Sequence, residues 1–337
     1  YVVSTEEKFM KFERYPRNPI IKRTRSTFYS IHAANPDILF FNNKYYFYLR
    51  GQNDDHHDQI GVGHSSPSDF DGVHWEMEVK NPVIQVSRNT KDFDSLHILD
   101  PATIVVNDML YLYYTAYSLD LSRPAAIGLA ISNDGTHFLK YPANPVMIGV
   151  GPEIIFENGL FYLFYQRPNT KGQWTIYLCT SEDGMHFPAH AERQVFGSSE
   201  QLEAFDCFSI ATFRIWKEKK WFYATYGGCN RYIDYPCAIG LARSQNLYEW
   251  ERYPENPILE RGSPGTWDEG AVWFGTVSKI NNTYYMWYEG GGTGMGLGST
   301  KAKEASKKAR KENYGGYQKT AFSQIGLALY SGQIPDW

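Results

Sequence analysis

Carboxylates stand near five strand openings in this 337-residue chain. Asp37 lies in NPDILFFNNKYYFYLRG, Asp100 in DPATIVVNDMLYLYYTA and Glu153 in GPEIIFENGLFYLFYQ. Asp206 begins FDCFSIATFRIWKEKKWFYATYGG, and Glu269 falls in WDEGAVWFGTVSKINNTYYMWYEG. If these acids converge, they supply what cleavage of a glycosidic bond requires: a proton donor for the leaving oxygen and a second carboxylate. The second is a base about 6.5–9.5 Å from the acid in an inverting reaction, or a nucleophile about 5–5.5 Å away in a retaining one. Crowded like charges would raise the pKa of one member and let it hold a proton near neutrality. The alternative for any one acid is structural: a carboxylate at a strand end that caps amides or pairs with arginine.

Substrate-binding candidates surround these acids. His32 and Asn35 precede Asp37, Trp267 and Trp273 flank Glu269, and Arg50, Arg167, Asn230 and Arg231 sit at returning strand ends. Arginine suits a carboxylate or sulfate on the sugar, and equally a salt bridge to the acids themselves. His74, His137 and His186 recur just before a turn aromatic, which marks them as structural. Asp54, Asp55, His56, His57 and Asp58 form one polar loop, read as solvated rather than as a metal site. Cys179, Cys207, Cys229 and Cys237 lack metal spacing, and free thiols are expected over a Cys229–Cys237 bridge. The glycines from 290 to 298 are not followed by Gly-Lys-Ser/Thr, so no phosphate loop is present. Asn281-Asn282-Thr283 fits a glycosylation sequon but lies in a predicted hairpin.

What must position the acids is a repeat. After each aromatic strand comes a third strand: IGVGHS at 60–65, IGLAIS at 127–132, IYLCTS at 176–181, IGLARS at 239–244 and IGLALY at 325–330. An Asp-Gly turn with an aromatic follows in the first three units, replaced by Asn246 and Trp250 in the fourth. Then comes Asn-Pro with an apolar residue, at 81–83, 144–146 and 256–258. Proline suits an outermost strand. The fifth unit lacks this last piece, while FERYPRNPII at 12–21 resembles YPENPIL at 253–259. The N-terminus is therefore expected to complete the fifth unit and close a ring. The fold expected is all-β: a five-bladed β-propeller of four-stranded antiparallel blades, one domain over 1–337. Loops near 51–59, 117–126, 167–175, 228–238 and 290–324 should surround the cavity mouth. The last reads as an insertion, Gly-rich and then a Lys-rich short helix at 301–313.

Composition fits that picture. Aromatics make up 16% and hydrophobic residues 42% of the chain, enough for strands and a core. The net charge of −4 gives no nucleic-acid footprint, and no run approaches the roughly 18 apolar residues of a membrane span. The chain begins at Tyr1 without a signal peptide; a secreted or periplasmic location, after removal of a leader, is the expectation.

On these motifs the chain resembles the five-bladed propeller glycosidases of families 43 and 62, 32 and 68, and the related families 117 and 130. Asp37 resembles the first-blade aspartate that serves as base in family 43 or nucleophile in family 32. Asp100-Pro101 resembles the motif whose aspartate tunes the acid or binds sugar hydroxyls. Gly151-Pro152-Glu153 resembles the family 43 acid motif, although family 43 places these two motifs one blade later. The spacing of Asp37, Asp206 and Glu269 loosely resembles family 117, with Asp268 where that family has histidine. The resemblance implies a glycosidase, exo-acting and inverting, with Asp37 as base, Glu153 as acid ahead of Glu269 and Asp206, and Asp100 as tuner. It implies no required cofactor, though some relatives carry calcium in the central channel. Its alternatives are a phosphorylase, as in family 130, and a non-catalytic carbohydrate-binding propeller. The partner expected is a carbohydrate, with neither nucleic acid nor membrane.

Overall fold

The computed structural model describes residues 9–231, 234–291 and 323–337. Five antiparallel sheets follow one another along the chain. Their inner strands are His32–Phe41, His97–Val106, Val150–Glu157, Ser209–Glu218 and Val272–Ile280. The second strands are Lys44–Gln52, Met109–Tyr117, Leu160–Pro168, Trp221–Cys229 and Thr283–Gly291. The third are Asp58–Ser65, Ala126–Ser132, Trp174–Ser181, Ala238–Ser244 and Ser323–Ser331. Inner strands of successive blades pack side by side, the fifth against the first, so the ring closes. This is the expected five-bladed β-propeller, with no α-helix among the described residues. The Gly-rich run from 292 and the Lys-rich helix at 301–313 lie outside the described residues.

The ring closes where the sequence placed the closure. Glu13–Arg14 pairs antiparallel with the third strand of blade 5, and Ile21 bridges to Ile325. In four blades the outer strand is two short pieces separated by the Asn-Pro turn, so Pro19, Pro82, Pro145 and Pro257 withhold no ladder hydrogen bond. The asparagine side chain replaces the missing backbone pair. Asn81 bonds both the N–H and C=O of Val62, Asn144 those of Leu129, Asn256 those of Leu241 and Asn18 those of Leu327, all at 2.7–2.9 Å. Blade 3 has no Asn-Pro and uses one continuous outer strand, Arg193–Phe196.

Aromatic residues on the second strands lock each blade to the next. The Tyr48 hydroxyl donates to Gly135 O, Tyr113 to Gly184 O and the Trp287 indole to Gly72 O, each reaching the Asp-Gly turn of the following blade. At the blade 3–4 seam Phe164 and Leu247 stand in for tyrosine and glycine, and the contact becomes apolar, with Trp250 edge-on to Phe164. In the Asp-Gly turns His74, His137 and His186 bond the aspartate three residues earlier, at 2.5–2.8 Å, confirming a structural place for them. None of the four cysteines forms a disulfide.

Replacing Asn18 by alanine would leave the N–H of Leu327 without its partner and its C=O with the Tyr15 N–H alone. A loss of about 2 kcal/mol is expected, read as a lower urea midpoint with an unchanged slope.

Candidate active site

A β-bulge in each inner strand builds the site. The bulges fall between Ala34 and Asp37, Leu99 and Ala102, Val150 and Glu153, Ala211 and Phe213, and Trp273 and Thr276. Each puts one residue in the left-handed region: Asn35 (φ 47°), Asp100 (φ 55°), Gly151 (φ 58°), Thr212 (φ 59°) and Phe274 (φ 51°). Bulges re-aim side chains at sheet ends, and four of these five residues line a cavity of about 230 Å³. Side chains from the preceding blade's second strand hold the bulge amides. Asn35 N–H donates to Glu289, Gly151 N–H to Thr115 Oγ1 and Thr212 N–H to Gln166. The cavity lies on the face the sequence assigned, because every second-to-third-strand connection contributes a wall: Asp58, Tyr117, Trp174, Asp234 and Ser323.

The five expected acids do not share one position. Counted from the bulge, Asp37 and Glu153 are equivalent, and the other blades carry Ala102, Arg214 and Thr276 there. Asp100 stands earlier, at the bulge itself, where blade 1 has Asn35. Asp206 and Glu269 lie in the loops ahead of their inner strands. Matching acids by their distance from the aromatic strand overlooked the extra bulge residue and the loop lengths.

Asp206 is a structural clamp. It accepts from the Tyr226 hydroxyl at 3.2 Å and pairs with Arg252 Nε at 2.7 Å. The same device recurs as Asp94 with Tyr114 and Lys140, and as Asp268 with Tyr288 and Arg14. A third-strand glycine makes room for each tyrosine; a Cβ on Gly128 would lie 2.4 Å from the Tyr114 ring. Glu269 is half-buried and accepts from the Gly265 amide in its own loop.

Asp37 and Glu153 are buried on the axis but do not line the cavity. Asp37 accepts from Thr103 N–H and hydroxyl at 2.9 and 2.5 Å. Glu153 accepts from Arg214 at 2.8 Å and from Ile215 N–H at 3.0 Å. Burial pushes Asp37 up against the pull of Arg214, and pushes Glu153 up to about 7 against the same pull, with the Asp37 charge adding to it. Arg214 already pairs with Glu153 and its charge acts on Asp37, so these two acids do not make a donor set suited to a calcium ion. Among the described residues, no three His, Cys, Asp or Glu side chains are placed to hold a metal ion.

The carboxylates that line the cavity are Asp58, Asp100, Asp234 and Glu289. Burial raises Asp100 to about 7; the Thr115 hydroxyl, Arg50 and Arg214 pull it down, and the Asp234 charge pushes it further up. Burial also raises Asp234, which accepts from the Trp273 indole at 3.2 Å, and Glu289, which accepts from Asn35 and Ser323. Asp58 is instead held low: burial is outweighed by Arg50 and His97, at 3.6 and 3.0 Å. Arg50 also approaches Glu289 at 3.7 Å.

Of the substrate-binding candidates, His32, Asn35, Arg50 and Trp273 line the cavity. Arg167 does not; it pairs with Glu192 at 2.8 Å and stacks on Tyr177. Asn230 and Arg231 are exposed, and Trp267 packs over Tyr288 against Gly290 and Gly326. His97, Asp234, Glu289 and Arg214 escaped the sequence reading, and Asp58, expected in a solvated loop, is instead buried and lines the cavity. Asp58 and Asp234 lie in connections already assigned to the mouth, and Glu289 ends its second strand as Arg50 ends its own, so position held the signal.

No protein-family model matches the sequence, and no curated protein matches it. Solved structures do. A beta-1,2-mannobiose phosphorylase from Listeria innocua matches with a TM-score of 0.67 at 15% identity, covering 96% of this chain and 97% of its own. A glycosyl hydrolase from Bacteroides ovatus gives 0.67 at 16%, covering 98% and 96%. An N-acetylgalactosamine deacetylase from F. plautii, solved with blood group B trisaccharide, gives 0.67 at 15%, covering 95% of each. The fold is thus the five-bladed β-propeller on which glycoside hydrolases and phosphorylases are built. The described residues contain no helix long and apolar enough to cross a membrane.

Folded Asp100 holds its proton to about pH 7, whereas the unfolded chain releases it near the ordinary 3.8. The folded state therefore binds more protons in that window, and stability falls as pH rises through it. Asp100→Asn removes this term. The variant should match wild type below pH 4 and gain on the order of a few kcal/mol above pH 7, read by thermal melts across pH. Asp206→Asn should instead lower stability by about 1–3 kcal/mol and leave kcat/KM unchanged.

Proposed function

We propose that this chain is a glycosidase that removes one sugar unit at a time, with Asp100 as proton donor and Asp234 as general base. The observation that carries the reading is Asp100 itself: a carboxyl raised to about 7, aimed by a bulge into a cavity it shares with Asp234. A general acid works best with a pKa near the operating pH. The cavity holds about eight waters at ~30 Å³ each, a space suited to one sugar ring. Trp174, Trp273, Phe274 and Tyr117 give it aromatic walls among the polar groups. Asn35 donates its amide N–H to Glu289, which leaves its buried Oδ1, unpartnered in the structure, to accept from a sugar hydroxyl.

In the reaction, Asp100 gives its proton to the glycosidic oxygen as the bond to the anomeric carbon breaks. Water attacks that carbon from the opposite face, and the Asp234 carboxylate takes the water proton. The product is an inverted hemiacetal and a free leaving alcohol. The structural neighbours support carbohydrate as the substrate class. Hydrolysis is favoured over phosphorolysis because Arg50, the only arginine or lysine among the described residues that line the cavity, is flanked by Asp58 and Glu289.

The test is a panel of aryl glycosides and oligosaccharides, with and without inorganic phosphate, and NMR of the first-formed anomer. Activity without phosphate, with the inverted anomer first, is expected. Asp100→Asn should lose about 100- to 10,000-fold in kcat on poor leaving groups, and much less on dinitrophenyl glycosides, which need no proton. Wild-type rates in Asp100→Asn, or no turnover of any glycan, would overturn the proposal.

A further inference from the structure

We propose that Arg214 is the positioning residue for Asp100, gripping the carbonyl of Pro101, the residue that follows it. The inference rests on the assignment of Asp100 as proton donor. Arg214 comes from blade 4, at the position where blades 1 and 3 carry Asp37 and Glu153. It is 2% exposed. Its Nη2 donates to Pro101 O at 2.8 Å, and its Nη1 to Glu153 at 2.8 Å and Pro152 O at 3.3 Å. Its guanidinium lies over the Phe274 ring, 4.8 Å from the centroid. One side chain thus reaches the bulges of blades 2, 3 and 5, and its charge is felt by Asp37 in blade 1.

The Pro101 contact bears on the chemistry. Asp100 has φ +55°, which a β-carbon disfavours. Pro101 follows it and has no N–H with which to tie the bulge to the ladder. The bond from Arg214 to Pro101 O supplies that tie. It also gives a desolvated carbonyl a cationic donor. A guanidinium can do this because its planar fork spans two acceptors at once, whereas an ammonium is a point charge. Glu153 is the counter-ion that makes burial of the guanidinium tolerable. Asp37 and Glu153, expected to be catalytic, are on this account the seat of Arg214.

Arg214 also sets the charge state of its neighbour. Asp100 is faced by Arg50, Arg214, Asp234 and Thr115, and Asp58 and His97 share the cavity. Removing the Arg214 charge takes away one of two cations that favour ionised Asp100, so the acid should stay protonated to higher pH.

The experiment compares Arg214→Lys and the double variant Arg214→Met/Glu153→Gln, which removes both buried charges together, with wild type and Asp100→Asn. For Arg214→Lys, a loss of about 10- to 100-fold in kcat/KM on poor leaving groups, with near wild-type rates on dinitrophenyl glycosides, is expected. For the double variant, the alkaline limb of kcat/KM should move above the wild-type value. If both variants keep the wild-type limb and lose rate equally on both substrates, or not at all, while Asp100→Asn is impaired, Arg214 is only a scaffold and the inference fails. If Asp100→Asn itself is unimpaired, the assignment of the acid has failed instead.

Discussion

One extra residue in each inner strand governs this molecule. A strand of strict alternation would send consecutive side chains to opposite faces of the blade and leave the channel mouth lined by whatever the core required. The bulge breaks the alternation close to the cavity face. It turns Asn35, Asp100, Gly151, Thr212 and Phe274 onto left-handed backbone and frees them from blade packing. Because the amides of three of these bulges are held by side chains of the preceding blade, those blades cannot set their cavity-face geometry alone. The ring must be complete before the site exists. Closure through Glu13–Arg14 therefore belongs to the site as much as to the fold.

The fold was legible because it is written repeatedly. Alternating aromatic strands, the IGLA-type third strand and the Asn-Pro turn recur along the chain, and the copy that the fifth unit lacks appears at residues 18 and 19. The site was less legible because its residues are the ones that differ between blades. Arg214 occupies the same register position as Asp37 and Glu153, but nothing in the string aligns an arginine with two acids unless the bulge is counted. Asp206 misled in the opposite sense: it does recur, as Asp94 and Asp268, and the recurrence marks its role in holding each blade together. In a ring of repeats, conformity signals structure and departure signals chemistry.

The electrostatics follow from the same geometry. Five inner strands converging on one axis leave little water there, so each charge on the axis needs a protein partner. Two solutions coexist. Around Arg214 the charges are paired and the carbonyls of Pro101 and Pro152 are satisfied. In the cavity, among the described residues, four carboxylates share a single guanidinium, Arg50, and two imidazoles, His32 and His97. Burial raises three of the four carboxylates. The first arrangement is rigid; the second is poised to exchange protons with whatever enters.

The asparagine turns carry a consequence for how such a ring can change. Asn18, Asn81, Asn144 and Asn256 hold the peptide groups of Leu327, Val62, Leu129 and Leu241, not their side chains, and three of the four also reach a second-strand tyrosine hydroxyl. Register at the rim is thereby fixed by main-chain recognition that does not depend on which side chain the third strand carries there. Blades can drift in composition, as these five have, without slipping against their own edges. The inner strands can then vary one blade at a time, and the chemistry at the mouth can be rewritten while the frame keeps its alignment.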